Sequence, residues 1–165
     1  MILQTQRLIL RPAHAGDLMA LHAVYSAPAA MRYWSRPEHD SLEETRAVLD
    51  ALIATPTEFC IEHGGRVIGK AGVWHPWEIG FLLHPDVWGK GLASEALQAI
   101  IPHIFATCPT CPGLTAEADP RNTASLAVLK KLGFRVTHTA RHTLQWRDEW
   151  CDSIYLELDR ATAIA

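Results

Sequence analysis

The first part of the chain follows one strand pattern and then two helix patterns. Residues 5 to 11, TQRLILR, alternate polar and apolar side chains and predict a strand. Residues 17 to 26 carry apolar side chains at helical spacing, with Asp17 as the expected N-cap. Residues 41 to 54 repeat that spacing behind a capping box opened by Ser41, so they predict a second helix.

The middle of the chain predicts an antiparallel meander. Residues 58 to 74, EFCIEHGGRVIGKAGVW, contain two strand patterns joined at Gly64 and Gly65, which is a strong hairpin signal. Residues 77 to 84, WEIGFLLH, form a third strand pattern that continues the meander.

The last part of the chain alternates helices and strands. After residue 91 an apolar stripe recurs at helical spacing, and Pro102 is expected to kink or end that helix. GLTAEAD predicts a strand, and PRNTASLAVLKKLG predicts a helix with Asn122 near its cap and Gly133 at its end. Residues 134 to 159 predict a closing hairpin.

These elements give the order βααβββαβαββ. We predict an α/β (α+β) fold with a mixed, mostly antiparallel seven-stranded sheet and one central βαβ crossover. A length of 165 residues fits a single domain over residues 1-165. No apolar run approaches the ~18 residues of a membrane span, and the N-terminus has a strand pattern, so we expect a soluble cytoplasmic protein.

The net charge and the spacing of cysteines and histidines argue against several classes of function. Lys plus Arg is 15 and Asp plus Glu is 18, a net charge of −3, so no basic surface predicts nucleic-acid binding. Cys108 and Cys111 form CPTC, but a second ligand pair is missing, and we expect a turn rather than a metal or redox site. The nine histidines show no metal-binding spacing.

The stretch HPDVWGKGLASEAL, residues 84 to 97, carries the main chemical signal. It places Gly89 and Gly91 between a strand and a helix, where free N–H groups and the helix dipole attract anions. Lys90 adds positive charge and Ser94 adds a hydroxyl donor. A tight turn without a ligand is the alternative interpretation. A Walker A loop is absent, and a Rossmann turn would follow its strand more closely.

On these residues the chain resembles the GNAT superfamily of acetyl-CoA-dependent N-acetyltransferases. Within the superfamily it is most similar to the Rim-type branch, which includes the ribosomal-protein N-terminal acetyltransferases. The superfamily's pyrophosphate signature falls on WGKGLA, with Trp88 in the first place. The resemblance spans nearly the whole chain through TQRLILRP, MRYWS, EIGFLLHPDVWGKGLASEAL, NTASLAVLKKLGF and WCDSIYLEL.

The resemblance implies a GNAT acyl-CoA N-acyltransferase fold whose cofactor is acetyl-CoA (coenzyme A). The strand GFLL separates from the strand LTAEA in this family and bonds the pantetheine arm through its main chain. The glycine turn holds the pyrophosphate, and the motif N-x-x-S approaches the sulfur. The expected cofactor-binding residues are Phe81, Leu82, Leu83, Trp88, Gly89, Lys90, Gly91, Leu92, Ala93, Ser94, Asn122 and Ser125.

The expected catalytic residues are Glu78 and Ser125. Glu78 begins the separating strand and is the first candidate for a base that assists the amine; Glu117 and Asp119 are second choices. Many GNAT enzymes protonate the leaving thiolate with a tyrosine, but Leu129 occupies that place, so Ser125 is the expected donor. The alternative interpretations are a solvated carboxylate and a helix-surface serine.

The acceptor side is less defined by the sequence. Tyr33, Trp34 and Arg36 lie in the loop that walls the acceptor in this family, and Trp146 and Trp150 are candidates for the opposite wall. We expect acetyl transfer to a peptide or protein N-terminal α-amine. The alternatives are a small amine such as a polyamine, an amino acid or an antibiotic, and a non-catalytic acyl-CoA-binding module. We expect neither nucleic acid nor a membrane as a partner. The sequence does not decide whether the chain forms a homodimer.

Overall fold

Eight strands form one sheet in the computed structural model, which describes residues 1–163. The strands are β1 (Leu3–Gln4), β2 (Leu8–Arg11), β3 (Glu58–His63), β4 (Arg66–His75), β5 (Glu78–Leu83), β6 (Gly113–Ala118), β7 (Arg135–Trp146) and β8 (Glu149–Asp159). Their spatial order is β1-β2-β3-β4-β5-β6-β8-β7. Every neighbouring pair is antiparallel except β5 and β6, which are parallel.

Helices cover both faces of this sheet. They are α1 (Leu18–Tyr25), α2 (Pro28–Met31), α3 (Leu42–Ala54), α4 (Leu92–Thr107), α5 (Thr123–Lys131) and α6 (Arg160–Ala163). The larger core lies between the sheet and helices α4 and α5, and a smaller core lies under α1, α2 and α3. Within residues 1–163 no helix has the length and apolar character that a membrane crossing requires.

Most local predictions are confirmed. Gly64 and Gly65 join β3 to β4 with positive φ angles of 57° and 76°, as a two-residue hairpin requires. Ser41 and Glu44 form both hydrogen bonds of the capping box at α3. The sheet has eight strands rather than seven because Leu3–Gln4 folds back to pair with β2.

Two local predictions are confirmed only in part. Asp17 occupies the N-cap position of α1, as predicted. Asp17 makes no capping hydrogen bond to α1, since its carboxylate accepts from the Arg11 guanidinium at 2.8 and 2.9 Å and from the His14 N–H at 2.9 Å. Of the two outcomes predicted at Pro102, a kink or an end of the helix, the end is excluded, because α4 continues to Thr107. The residues beyond Pro102 include Ile104 and Phe105, which are buried in the larger core, so tertiary packing outweighs the missing hydrogen bond.

The CPTC segment forms a turn between α4 and β6, as predicted. Arg160 donates hydrogen bonds to the main-chain oxygens of Cys108, Cys111 and Phe105 at 3.1, 3.2 and 2.7 Å. Within residues 1–163 no group of three or more His, Cys, Asp or Glu side chains is arranged to hold a metal ion.

The parallel pair β5–β6 is the feature of the fold that matters most for the site. The two strands share one register pair, Glu78 with Thr115, and then separate. On the side away from the gap, β5 stays paired with β4 and β6 stays paired with β8 along their lengths. The sheet therefore contains an open gap that widens from Glu78 towards the C-terminal ends of both strands.

We predict that Asp17→Asn lowers the free energy of unfolding at pH 7 by about 2 kcal/mol, because it removes the more buried of the two carboxylates that pair with the half-buried Arg11 guanidinium, the other being Glu62. Asp17 is 3% exposed. Burial alone would raise the pKa of Asp17, but the hydrogen bonds from Arg11 and the His14 N–H lower it below its ordinary value.

A depressed pKa gives this prediction its pH dependence. The stabilisation is present above the ordinary Asp pKa of about 4 and is lost as the pH falls through the lower pKa of the folded state. Urea unfolding followed from pH 7 downwards measures it, with Asp50→Asn at an exposed position of α3 as the control. Equal stability of Asp17→Asn and wild type at pH 7 would contradict the prediction.

Candidate active site

The turn between β5 and α4 has the geometry of an anion-binding turn. Gly89 and Gly91 have φ angles of 72° and 74°, which favour glycine. A Cβ at Gly89 would meet no atom within 4 Å, so the main chain there is open to approach. Gly91 is the N-cap of α4 and provides no side chain to cap the first turn.

The donors of this turn are free. Within residues 1–163 no protein oxygen accepts a hydrogen bond from the main-chain N–H groups of residues 89–94. The Ser94 side chain is 6% exposed at the same helix end, and its Oγ has no hydrogen-bond partner in that range. A buried hydroxyl without a partner is unfavourable, and a diphosphate at the helix N-terminus would accept hydrogen bonds from the free N–H groups. The residues present therefore fit the expected coenzyme.

A second cation beside the turn was missed by the sequence analysis. Arg7 Nη1 donates to the main-chain oxygen of Lys90 at 2.9 Å, and Arg7 Nε pairs with Glu95 at 2.7 Å. These contacts bring two positive side chains to the start of α4. No local sequence signal predicts Arg7 here, because more than eighty residues separate it from the turn.

Trp88 connects the turn to the preceding strand. Its indole Nε1 donates to the main-chain oxygen of Leu83 at 2.9 Å, while the ring is half exposed. The bond fixes the start of the glycine turn against the end of β5. Trp88 therefore positions the turn.

The main chain of Phe81, Leu82 and Leu83 forms one border of the gap. One edge of these residues pairs with β4, and the other edge has no strand partner beyond Glu78. Leu82 and Leu83 bury their side chains in the smaller and the larger core respectively. Because the side chains of Leu82 and Leu83 point to opposite faces of the sheet, the unpaired main-chain edge of β5 faces the gap.

The start of α5 lies at the same end of the gap, because β5 and β6 are parallel and α4 and α5 follow them. Asn122 caps α5, with its Oδ1 accepting from the Ser125 N–H at 3.2 Å. Ser125 is half-buried, and its hydroxyl makes no hydrogen bond within the described chain. Leu129 is buried in the larger core, so this position supplies no proton donor.

Two carboxylates border the narrow end of the gap. Glu78 pairs with Thr115, so Glu117 lies two residues further along β6 on the same face of the sheet. Burial raises the pKa of Glu78, and the negative charge of Glu117 raises it further. Glu117 accepts a hydrogen bond from the buried hydroxyl of Ser153 at 2.5 Å, a contact that the sequence analysis missed.

Asp119 is engaged differently from the two glutamates. Arg121 donates two side-chain hydrogen bonds to its carboxylate, at 2.7 and 2.9 Å. These bonds hold the pKa of Asp119 below its usual range. Arg121 also pairs with Glu149 on β8. A carboxylate held in its charged form by a bidentate arginine is a poor proton acceptor, so we do not retain Asp119 as a candidate base.

The predicted acceptor residues have different surroundings. Tyr33 is exposed, with the guanidinium carbons of Arg32 and Arg121 at 5.2 and 5.7 Å from its ring centre. Trp34 packs against the smaller core with Lys70 Nζ at 5.3 Å from its ring centre. Arg36 is exposed and makes no hydrogen bond or ion pair within residues 1–163.

The tip of the β7–β8 hairpin is joined to the segment after α2. Trp146 Nε1 donates to the main-chain oxygen of Met31 at 3.1 Å, and Arg147 pairs with Glu38 at 2.7 Å. Trp150 is exposed on the hairpin. Trp146 therefore lies against the Tyr33 segment as one wall.

Comparison with known proteins identifies the family. Residues 7–135 match the family described as "Acetyltransferase (GNAT) domain". The chain is 27% identical to the uncharacterized N-acetyltransferase YnaD of Bacillus subtilis, covering 94% of this chain and 95% of that protein. It is also 27% identical to the L-methionine sulfoximine/L-methionine sulfone acetyltransferase of Pseudomonas aeruginosa PAO1, covering 91% of this chain and 93% of that protein.

Solved structures share the fold. A GNAT-family acetyltransferase from Bacillus anthracis has a TM-score of 0.84 at 25% identity, covering 96% of this chain and 98% of that one. RimL, a ribosomal L7/L12 α-N-protein acetyltransferase solved with coenzyme A, has a TM-score of 0.86 at 21% identity, covering 98% and 99%. Spermidine N-acetyltransferase from Vibrio cholerae has a TM-score of 0.82 at 18% identity, covering 98% of this chain and 100% of that one.

The glycine turn with free donors, the gap between β5 and β6 and the family match lead to one assignment. The chain belongs to the GNAT family and is an acetyl-CoA-dependent N-acetyltransferase.

Proposed function

We propose that the protein transfers the acetyl group of acetyl-CoA to an α-amine, presented by the N-terminus of a peptide or protein, through direct attack in a ternary complex. The observation that carries this proposal is the set of free donors at residues 89–94, with the unpartnered Ser94 Oγ, at the open end of the β5–β6 gap. These donors and the cations of Arg7 and Lys90 would hold the diphosphate.

The gap would then orient the reacting groups. The free main-chain edge of Phe81, Leu82 and Leu83 offers hydrogen bonds to the pantetheine amides, and a main-chain N–H near Leu82 is our candidate for the oxyanion contact. Acetyl-CoA supplies the thioester. The acceptor approaches from the face that carries Glu78 and Glu117, beside Tyr33 and the exposed Arg36.

The chemical step needs a neutral amine. The acceptor nitrogen forms a bond to the acetyl carbon while the C–S bond breaks, the nitrogen loses a proton, and the sulfur leaves as a thiolate. An α-amine has a pKa of about 8, so roughly a tenth is neutral at pH 7 and a modest base suffices. Glu78 is our first candidate for that base because its raised pKa makes it a better proton acceptor.

A hydrogen bond to the leaving thiolate is assigned to the Ser125 hydroxyl, and the thiolate takes its proton from solvent. This hydroxyl lies at the start of α5, is not engaged by another described residue, and follows the Asn122 cap. Glu117 is the second candidate base, and its bond to Ser153 fixes the carboxylate beside the gap.

A second candidate acceptor is a free amino acid or amino-acid derivative. Two relatives that are 27% identical over 91% of this chain are named as methionine sulfoximine and methionine sulfone acetyltransferases, and both of those acceptors carry an α-amine. The shared α-amine is the part of the proposal that both candidates require.

Release of free thiol from acetyl-CoA tests the function. The panel contains N-terminal peptides, free amino acids and methionine derivatives, and polyamines. We expect thiol release with α-amines and formation of the N-acetyl product by mass spectrometry. Thiol release only with polyamines would overturn the α-amine proposal, and coenzyme binding without thiol release for any amine would indicate a binding module.

Substitution of Ser94 is expected to maintain or raise stability while it weakens coenzyme binding. We predict that Ser94→Ala leaves the ligand-free melting temperature unchanged or higher, because the hydroxyl is buried without a partner. The same variant should weaken coenzyme A binding by roughly 5- to 10-fold through loss of one hydrogen bond. Calorimetric titration measures this, with the exposed Ser35→Ala as control. Unchanged affinity would remove Ser94 from the diphosphate site.

The two glutamates give a test of the base. We predict that Glu78→Gln lowers kcat/KM by roughly 100-fold, as loss of a general base does. Carbon-13 NMR should place the Glu78 pKa above its ordinary value, and Glu117→Gln should lower it, because a neighbouring negative charge is removed. The acid limb of the pH–rate profile would move to lower pH in Glu117→Gln.

The control for this pair is Glu43→Gln, an exposed glutamate at the start of α3. It should change kcat/KM by less than about twofold, as surface substitutions away from a site do. A 100-fold loss in Glu117→Gln with full activity in Glu78→Gln would assign the base to Glu117 instead.

A further inference from the structure

Two adjacent glycines make room for long side chains of neighbouring strands on the face of the sheet that carries Glu78. Gly72 on β4 and Gly80 on β5 are register partners, and Glu58 on β3 pairs with Gly72. A Cβ at Gly72 would lie 2.6 Å from the Cα of Glu58, so the position has room only for glycine. Without side chains on the two glycines, the Glu58 and Lys70 side chains lie across β4 and β5.

Glu58 and Lys70 form a buried ion pair with unused hydrogen-bonding capacity. Lys70 Nζ donates to Glu58 Oε1 at 2.9 Å, with the side chains 5% and 1% exposed. Within residues 1–163 Nζ makes no other hydrogen bond, and Glu58 Oε2 has no partner. A buried ion pair adds little net stability, and unused donors and acceptors add cost, so stability does not account for this arrangement.

The ammonium group borders the expected acceptor space. Lys70 Nζ lies 3.7 Å from the position that a Cβ at Gly80 would occupy, and Trp74 Cδ1 lies 3.5 Å from the same position. Gly80 is half-exposed and is two residues beyond Glu78 on the strand that borders the gap. The space above Gly80 therefore admits a small group of an acceptor in contact with Nζ, between Trp74 and the Trp34 ring, whose centre lies 5.3 Å from Nζ.

We propose that Lys70 recognises the carbonyl or carboxylate oxygen attached to the α-carbon of the acceptor and thereby selects α-amines. This rests on the proposed function. Peptide N-termini and free amino acids both carry such an oxygen next to the amine, and it can take a free N–H of Lys70 in a charge-assisted hydrogen bond. A polyamine has no such oxygen and brings a further positive charge towards the ammonium group. Glu58 holds Nζ in place as a positioning residue.

Four acceptors of related size test the proposal: leucine, leucinamide, 3-methylbutylamine and spermidine. Thiol release gives kcat/KM for each, expressed per neutral amine. In Lys70→Met we expect the leucine and leucinamide values to fall by roughly 10- to 100-fold, the loss of one hydrogen bond to a charged group. The 3-methylbutylamine value and the affinity for coenzyme A should change by less than about twofold, because neither uses Lys70.

Two further variants separate recognition from structure. Glu58→Gln/Lys70→Met removes both charges of the pair, so it avoids a buried uncompensated carboxylate and should show the same loss of selectivity. Lys131→Met removes an exposed lysine and should keep wild-type selectivity. A preference for leucine over leucinamide would indicate free amino acids as acceptors, and the reverse would indicate peptide N-termini.

Either of two results would overturn the proposal: an equal loss for all four acceptors, which a structural role would give, or unchanged selectivity in both Lys70 variants. Wild-type protein that binds coenzyme A and releases no thiol with any of the four amines would instead remove the proposed function, and this inference with it.

Discussion

The separation of β5 from β6 after one register pair is the constraint on which the site depends. Each strand is bound to another strand along its outer edge, so the gap is fixed by the rest of the sheet. The parallel direction of the pair brings the starts of α4 and α5 to the open end. The positive φ of Gly91 lets α4 begin there with its N–H groups uncapped. Strand order and one glycine thus bring together a free strand edge and two helix N-termini.

Unsatisfied polar groups near the gap are the observations from which we propose where ligands bind. Ser94 Oγ and Glu58 Oε2 are buried without partners, and the N–H groups of residues 89–94 have no acceptor within the described chain. In the same part of the chain, Arg32 Nη1 and Glu38 Oε2 are also buried without a partner. Other buried groups are satisfied by long-range contacts, as Asp17 is by Arg11 and the end of α4 is by Arg160. Because an unsatisfied buried group lowers stability, the free donors at the open end of the gap are the ones that a bound ligand best explains.

The sequence predicts the parts of this molecule that depend on local interactions. The Gly64 hairpin, the Ser41 capping box, the Asn122 cap and the glycine turn all involve residues within a few positions of one another. The parts it does not predict involve distant residues. Arg7 reaches Lys90, Ser153 reaches Glu117, and Lys70 meets Glu58 through a strand register that no local pattern encodes. At Pro102 burial of the following turn outweighed a local signal.

Function requires a diphosphate to bind the free N–H groups at the start of α4. Titration of the nitrogen-15-labelled protein with coenzyme A, followed by amide NMR, observes these groups individually. We expect saturable shifts of the amide resonances of residues 89–94, and no comparable shifts with pantetheine, which lacks the diphosphate. Saturable binding of coenzyme A that moves other resonances and leaves those six amides unchanged would contradict it.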